Sequence, residues 1–78
     1  MSFKKLPIVS SKELIKFLIE KKGFTYVHTR GDHHIYASRS ANRRISVPER
    51  KEVGKGLLLK ILEEVGSNRE EFMMYWNE

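Results

Sequence analysis

The hydrophobic period of this chain changes twice, and that double change limits the fold more than any single residue does. Up to Gly23 the apolar residues recur at helical spacing, from Phe24 to Val47 they recur at a period of two, and from Leu57 to Val65 helical spacing returns. Ser10-Ser11-Lys12-Glu13 has the form of a capping box, a hydroxyl and a carboxylate placed to satisfy the free amides of a first turn. Leu14, Phe17 and Leu18, joined by Ile15 and Lys21, line one stripe, and Gly23 stands where a left-handed residue ends a helix. The spacing predicts a helix over 11–22.

The middle segment is rich in β-branched and aromatic residues, with turn chemistry at Gly31-Asp32 and at Ser40-Ala41-Asn42. It reads as a three-stranded antiparallel meander. A two-residue loop of Gly31-Asp32 pairs Val27 with Tyr36 and leaves both faces mixed. A three-residue loop of Arg30-Gly31-Asp32 pairs Val27 with Ile35 and Tyr26 with Tyr36, and is the preferred register. It gathers Val27, Ile35, Ala37, Ile45 and Val47 on a face that meets the helices. Tyr26, His28, His34, Tyr36 and Arg44 then fall on a solvent-facing, aromatic face. His33 lies on the aliphatic side, at the strand's first position, where that face opens to water.

Pro48 ends the third strand because it cannot donate to a ladder, and Glu49–Glu52 reads as a charged loop. Gly54-Lys55-Gly56 leads into a helix with Leu57, Leu58, Ile61, Leu62 and Val65 on one stripe and Gly66 as terminator. Ser67-Asn68-Arg69-Glu70 reads as a second capping box opening a short helix with Phe72, Tyr75 and Trp76. The order α-β-β-β-α-α predicts an α+β fold: a two-layer sandwich with helices on one face of a three-stranded antiparallel sheet and the other face left to a partner.

At 78 residues the chain can bury one modest core, which argues against enzymes that close a deep cleft between two lobes. It has no cysteine, hence neither a disulfide staple nor a thiolate metal site, and a reducing compartment is the plainer expectation. No apolar run approaches a bilayer span, and Met1–Pro7 lacks the apolar stretch of a signal peptide, so a soluble cytoplasmic protein is expected. Residues 1–62 carry 14 basic and 5 acidic side chains, net +9; residues 63–78 carry one basic and 5 acidic, net −4; together they give the overall +5. A density of cations like that in the first segment is the electrostatic footprint of a nucleic-acid binder, and also of a merely well-solvated surface.

Three histidines raise the question of a metal. Adjacent strand residues point to opposite faces, so His33 and His34 cannot share one ion, and a His28–His34 pair has no evident third ligand. His28 and His34 are ordinary half-exposed strand positions or stacking partners for bases. His33, after a Gly-Asp turn and near Arg30 and Asp32, has another use. RNA cleaves itself when its 2′-hydroxyl loses a proton beside a neutralised phosphate; imidazole supplies the base and a nearby cation the charge, with no metal or cofactor required. Gly54-Lys55-Gly56 resembles an anion site at a helix start, but it is not a nucleotide-binding P-loop.

Taken in order, the capped helix ending in Gly23-Phe24, then Gly31-Asp32-His33-His34-Ile35-Tyr36, Ile45-Ser46-Val47-Pro48, and Lys55-Gly56-Leu57 followed by Lys60-Ile61-Leu62 and Val65-Gly66 resemble the HicA toxin family, the YcfA-like mRNA interferases. The resemblance spans about Ser10 to Gly66, within a single domain 1–78 whose residues 67–78 form a C-terminal helical extension. It implies a fold like a double-stranded-RNA-binding domain and a metal-independent, ribosome-independent endoribonuclease that cleaves mRNA. His33 falls on the family's catalytic histidine, and a HicB-like antitoxin that occludes the site is the implied partner. The candidate RNA contacts beside it are Arg30, His34, Tyr36, Arg43, Arg44 and Lys55. Asp32 stands where many members have Ser or Gly, and Glu49-Arg50 where many have a second histidine. The acidic C-terminal stretch offers two roles, shielding the basic surface or making a weak homodimer contact. The alternative function is a non-catalytic RNA-binding module of the double-stranded-RNA-binding type.

Overall fold

A computed structural model of the chain describes residues 6–77; Met1–Lys5, which carry most of the N-terminal stretch read for a signal peptide, and Glu78 lie outside the described residues. Helix α1 runs Ser11–Lys22. The Ser10 hydroxyl accepts from the Glu13 amide at 3.2 Å and the Glu13 carboxylate accepts from the Ser10 amide at 2.8 Å, completing the capping box. Gly23 takes φ 71°, which lets the Phe24 amide reach back to the Leu18 carbonyl and close the helix. The stripe of Leu14, Phe17 and Leu18 is fully buried.

Ser11 does something its place beside a cap does not announce. Its hydroxyl donates to the Pro48 carbonyl at 2.6 Å and accepts from the Arg50 amide at 2.6 Å, while its own amide donates to the Arg50 carbonyl. The first turn of α1 is thereby fastened to the chain leaving the sheet. Ser11→Ala leaves the Arg50 amide without its acceptor in a part-buried site, and is expected to cost about 1–3 kcal/mol in urea unfolding. A loss within experimental error would mean that water replaces the hydroxyl.

The sheet has the order β1-β2-β3, with β1 Thr25–Arg30, β2 His33–Ser38 and β3 Arg43–Pro48, all antiparallel. The first turn is the two-residue Gly31-Asp32, with Gly31 at φ 61°, so Arg30 pairs with His33, Thr29 with His34 and His28 with Ile35. The preferred three-residue loop is therefore wrong at the turn. Its pairing of Tyr26 with Tyr36 is nevertheless present, because the extra residue is taken up by a bulge at Val27 instead. That bulge resets the alternation, so Tyr26 and Thr29 share a face and their hydroxyls meet at 2.7 Å.

The second connection corrects the faces of β2. A loop of Ser40–Asn42 places Ala37 opposite Ile45, whereas the observed turn has four residues, Arg39–Asn42, with Asn42 at φ 52°, and sets Tyr36 opposite Ile45 and His34 opposite Val47. One residue of loop length turns the whole strand over. Tyr36, Ile45 and Val47 are buried under the helices, with Tyr36 stacked edge-on to Tyr26 at 5.6 Å. The open face receives His33, Ile35 and Ala37, together with Arg44 and Ser46 of β3 and His28 and Arg30 of β1. Burial drives the Tyr36 phenol above its ordinary pKa, with Tyr26 adding to the shift.

Helix α2 spans Lys55–Glu64 and buries Leu58, Ile61 and Leu62; Gly66 at φ 75° ends it, and the Ser67 amide donates to the Leu62 carbonyl. Helix α3, Arg69–Trp76, starts one residue later than the sequence suggests. Asn68 is its cap, accepting from the Glu71 amide at 2.8 Å, and the Ser67 hydroxyl donates instead to the Glu71 carboxylate. That bond, together with Lys22 of α1 at 3.1 Å, holds the Glu71 carboxyl below the usual range against the opposing effect of burial. Phe72 enters the core edge-on to Phe17, with ring centroids 5.1 Å apart, and Tyr75 meets Phe17 at the same distance. The acidic extension is thus packed on α1, the Tyr75 hydroxyl donating to Glu20. An isolated bridge, Val9 with Val53, closes the core beside the sheet.

Candidate active site

The Gly31-Asp32 turn decides where His33 stands. Glycine takes the positive φ, Asp32 follows, and the Asp32 carbonyl accepts from the Glu49 amide at 2.6 Å, which pins the turn to the chain just past Pro48. His33 opens β2 on the uncovered face. Its Nδ1 lies 3.0 Å from the hydroxyl of Ser46, a diagonal neighbour on β3, and its Nε2 lies 3.5 Å from the Asp32 carboxylate. The side chain is 50% exposed, so the ring is anchored through Nδ1 and half open to solvent. When Nδ1–H donates to Ser46, Nε2 is the basic atom, and the imidazolium formed by a proton there faces Asp32.

Around this ring the edge of β3 and the side of α2 form an open groove of about 400 Å³, lined in part by His33, Arg44, Ser46, Arg50, Leu57 and Lys60. Among the described residues, two guanidinium groups and an ammonium group stand on its walls, with Glu64 as the one acid lining it. The backbone of Arg50 is fixed by Ser11, so the buried tie described above also sets one wall of the groove. Such an arrangement can take a proton from a hydroxyl and neutralise a phosphate beside it.

The sequence-derived residues divide. Arg30 and Arg44 share the open face with His33, Arg30 being its direct cross-strand partner. His34 does not: it points to the helix side, its Nδ1 3.0 Å from the Thr29 hydroxyl and its Nε2 2.5 Å from the Glu49 carboxylate. Tyr36 is buried on that same side. Arg43 reaches the C-terminal end of α2, donating to the Glu64 carbonyl at 2.9 Å and packing beside Gly66. Lys55 is exposed at the first position of α2, under Gly54, and does not line the groove. Among the described residues no three His, Asp or Glu side chains are placed to hold a metal ion.

Ser46, Arg50 and Lys60 are the groove residues that sequence reasoning passed over. Ser46 becomes visible only once β2 and β3 are in register. Lys60 lies three residues beyond Leu57 on the groove side of α2, a helical spacing that was available in the sequence, and Arg50 follows the strand-ending Pro48 by two.

Fold and site together describe a small α+β domain whose uncovered sheet face is cationic around one anchored imidazole. A family model described as HicA toxin of bacterial toxin-antitoxin matches residues 11–67, and the chain belongs to that family. It is a toxin of the toxin–antitoxin type; α3 lies beyond the matched residues. No curated protein and no solved structure matches the chain. None of the helices of the described residues is long and apolar enough to cross a membrane.

Proposed function

We propose that the toxin is a metal-independent endoribonuclease acting on mRNA, with His33 as its general acid and base and a HicB-like antitoxin as the partner that covers the groove. The observation that carries this reading is the His33 ring, tied to Ser46 through Nδ1 and open to solvent, at the mouth of a groove walled by Arg44, Arg50 and Lys60. Nε2 takes the proton of a 2′-hydroxyl. The 2′-oxygen attacks the adjacent phosphorus, a 2′-O–P bond forms, the P–O5′ bond breaks, and the proton passes from the imidazolium to the departing 5′-oxygen. The cations stabilise the extra charge on the phosphorane-like transition state, and Asp32 stabilises the imidazolium between the two transfers.

The products are a 2′,3′-cyclic phosphate and a 5′-hydroxyl. Cleavage of a synthetic mRNA fragment, followed by mass analysis of the ends, is expected to give these termini at an unchanged rate in EDTA. Ends of the opposite polarity, 3′-hydroxyl and 5′-phosphate, or loss of cleavage in EDTA, contradict the mechanism. RNA binding without cleavage supports the binding-module alternative.

A further inference from the structure

Next to the His33 groove the same sheet face has a second hollow, of about 420 Å³, lined by His28, Arg30, Ile35, Arg44, Ile45 and Ser46. Arg44, Ile45 and Ser46 line both, so the two adjoin at the residue that holds the His33 ring. Cations and apolar surface meet in the second hollow, as they do in the His33 groove, which Ile45, Pro48, Leu57 and Ile61 also line. Ile35 lies between His28 of β1 and Ser46 of β3, its direct partners in the two ladders, and gives the hollow an apolar floor. An imidazole and two guanidinium groups, all flat and all able to stack on a ring, stand around it. The four-residue second turn sets this floor, since the other register would turn Ile35 inward and bring Tyr36 to the open face.

Phosphates have no use for an isoleucine floor, and the apolar surface of RNA is the faces of its bases. In a duplex those faces are covered by stacking, so only an unpaired nucleotide can present one to the sheet. We infer that the His28–Arg30–Ile35 hollow binds the unpaired base next to the scissile phosphate, with Arg44 spanning the two sites, and that the substrate is single-stranded RNA laid across the open sheet face. This deepens the ribonuclease reading and rests on it for the position of the scissile phosphate. The binding itself is independent of cleavage.

A short 2′-O-methyl oligonucleotide, which has no 2′-hydroxyl to react, separates the two. By fluorescence anisotropy the toxin is expected to bind the single strand more tightly than the same strand annealed to its complement. His28→Ala, an exposed position that leaves the core untouched, is expected to weaken single-strand binding roughly 5- to 150-fold, the range set by one base–aromatic stack, and to leave duplex binding unchanged. Arg30→Ala is expected to weaken both. Duplex binding equal to or tighter than single-strand binding, or single-strand affinity unmoved by His28→Ala, overturns the inference whatever the cleavage assay shows. Cleavage failing while the single-strand preference holds would instead overturn the ribonuclease reading alone.

Discussion

Phe17→Ala is expected to lower the stability of the domain by about 3–5 kcal/mol, as full truncations of buried aromatic rings do. Phe17 has no exposed surface and is the point at which α1 meets α3, edge-on to both Phe72 and Tyr75. Its removal opens a cavity between α1 and α3 and deletes two aromatic pairs, each worth about 0.5–1.5 kcal/mol beyond area burial. A domain of this length is stable by roughly 4–12 kcal/mol in all, so the change takes a large share of the total. At about 4–8 °C per kcal/mol for a domain of this size, the thermal midpoint falls by at least about 12 °C. Met74→Ala on the exposed side of α3, where 74% of the residue is accessible, is the control and stays within about 0.5 kcal/mol. A Phe17→Ala midpoint within a few degrees of the parent would show that α3 does not complete the core.

His33→Ala is expected to act in the opposite way, sparing the fold and removing the chemistry. The ring is half exposed and it hydrogen-bonds to Ser46, itself exposed, so truncation opens no cavity. General acid–base catalysis contributes about 10²–10⁴-fold, and one imidazole serving both transfers carries that whole factor. Arg44, Arg50 and Lys60 are unaltered, so RNA affinity changes little. Ser46→Ala, which frees the ring to turn without removing it, is a milder lesion of the same device.

What could be read in the sequence follows where local chemistry decides structure. The capping box at Ser10–Glu13 and the glycine stops at Gly23 and Gly66 are set by residues within one turn of one another, and the helices begin and end on them. The burial of Ile45 and Val47 was equally legible from alternation. The face of β2 was not, because it depends on whether Arg39 belongs to the strand or to the turn, and neither propensity nor charge distinguishes those. The bulge at Val27 has no sequence mark at all, since it absorbs a mismatch between the first turn and the pairing of Tyr26 with Tyr36. Those two details decide the site. They carry His34 and Tyr36 to the helix side, bring Ile35 to the open face, and set Ser46 beside His33.

The central claim, that one anchored imidazole performs the chemistry on a surface that binds RNA without it, is tested most directly by single-turnover cleavage with the protein in excess, the parent and His33→Ala purified in parallel. The rate constant for His33→Ala is expected to be at least about 10²-fold lower at equal fractional binding of the RNA. An undiminished rate constant for the bound RNA would contradict it.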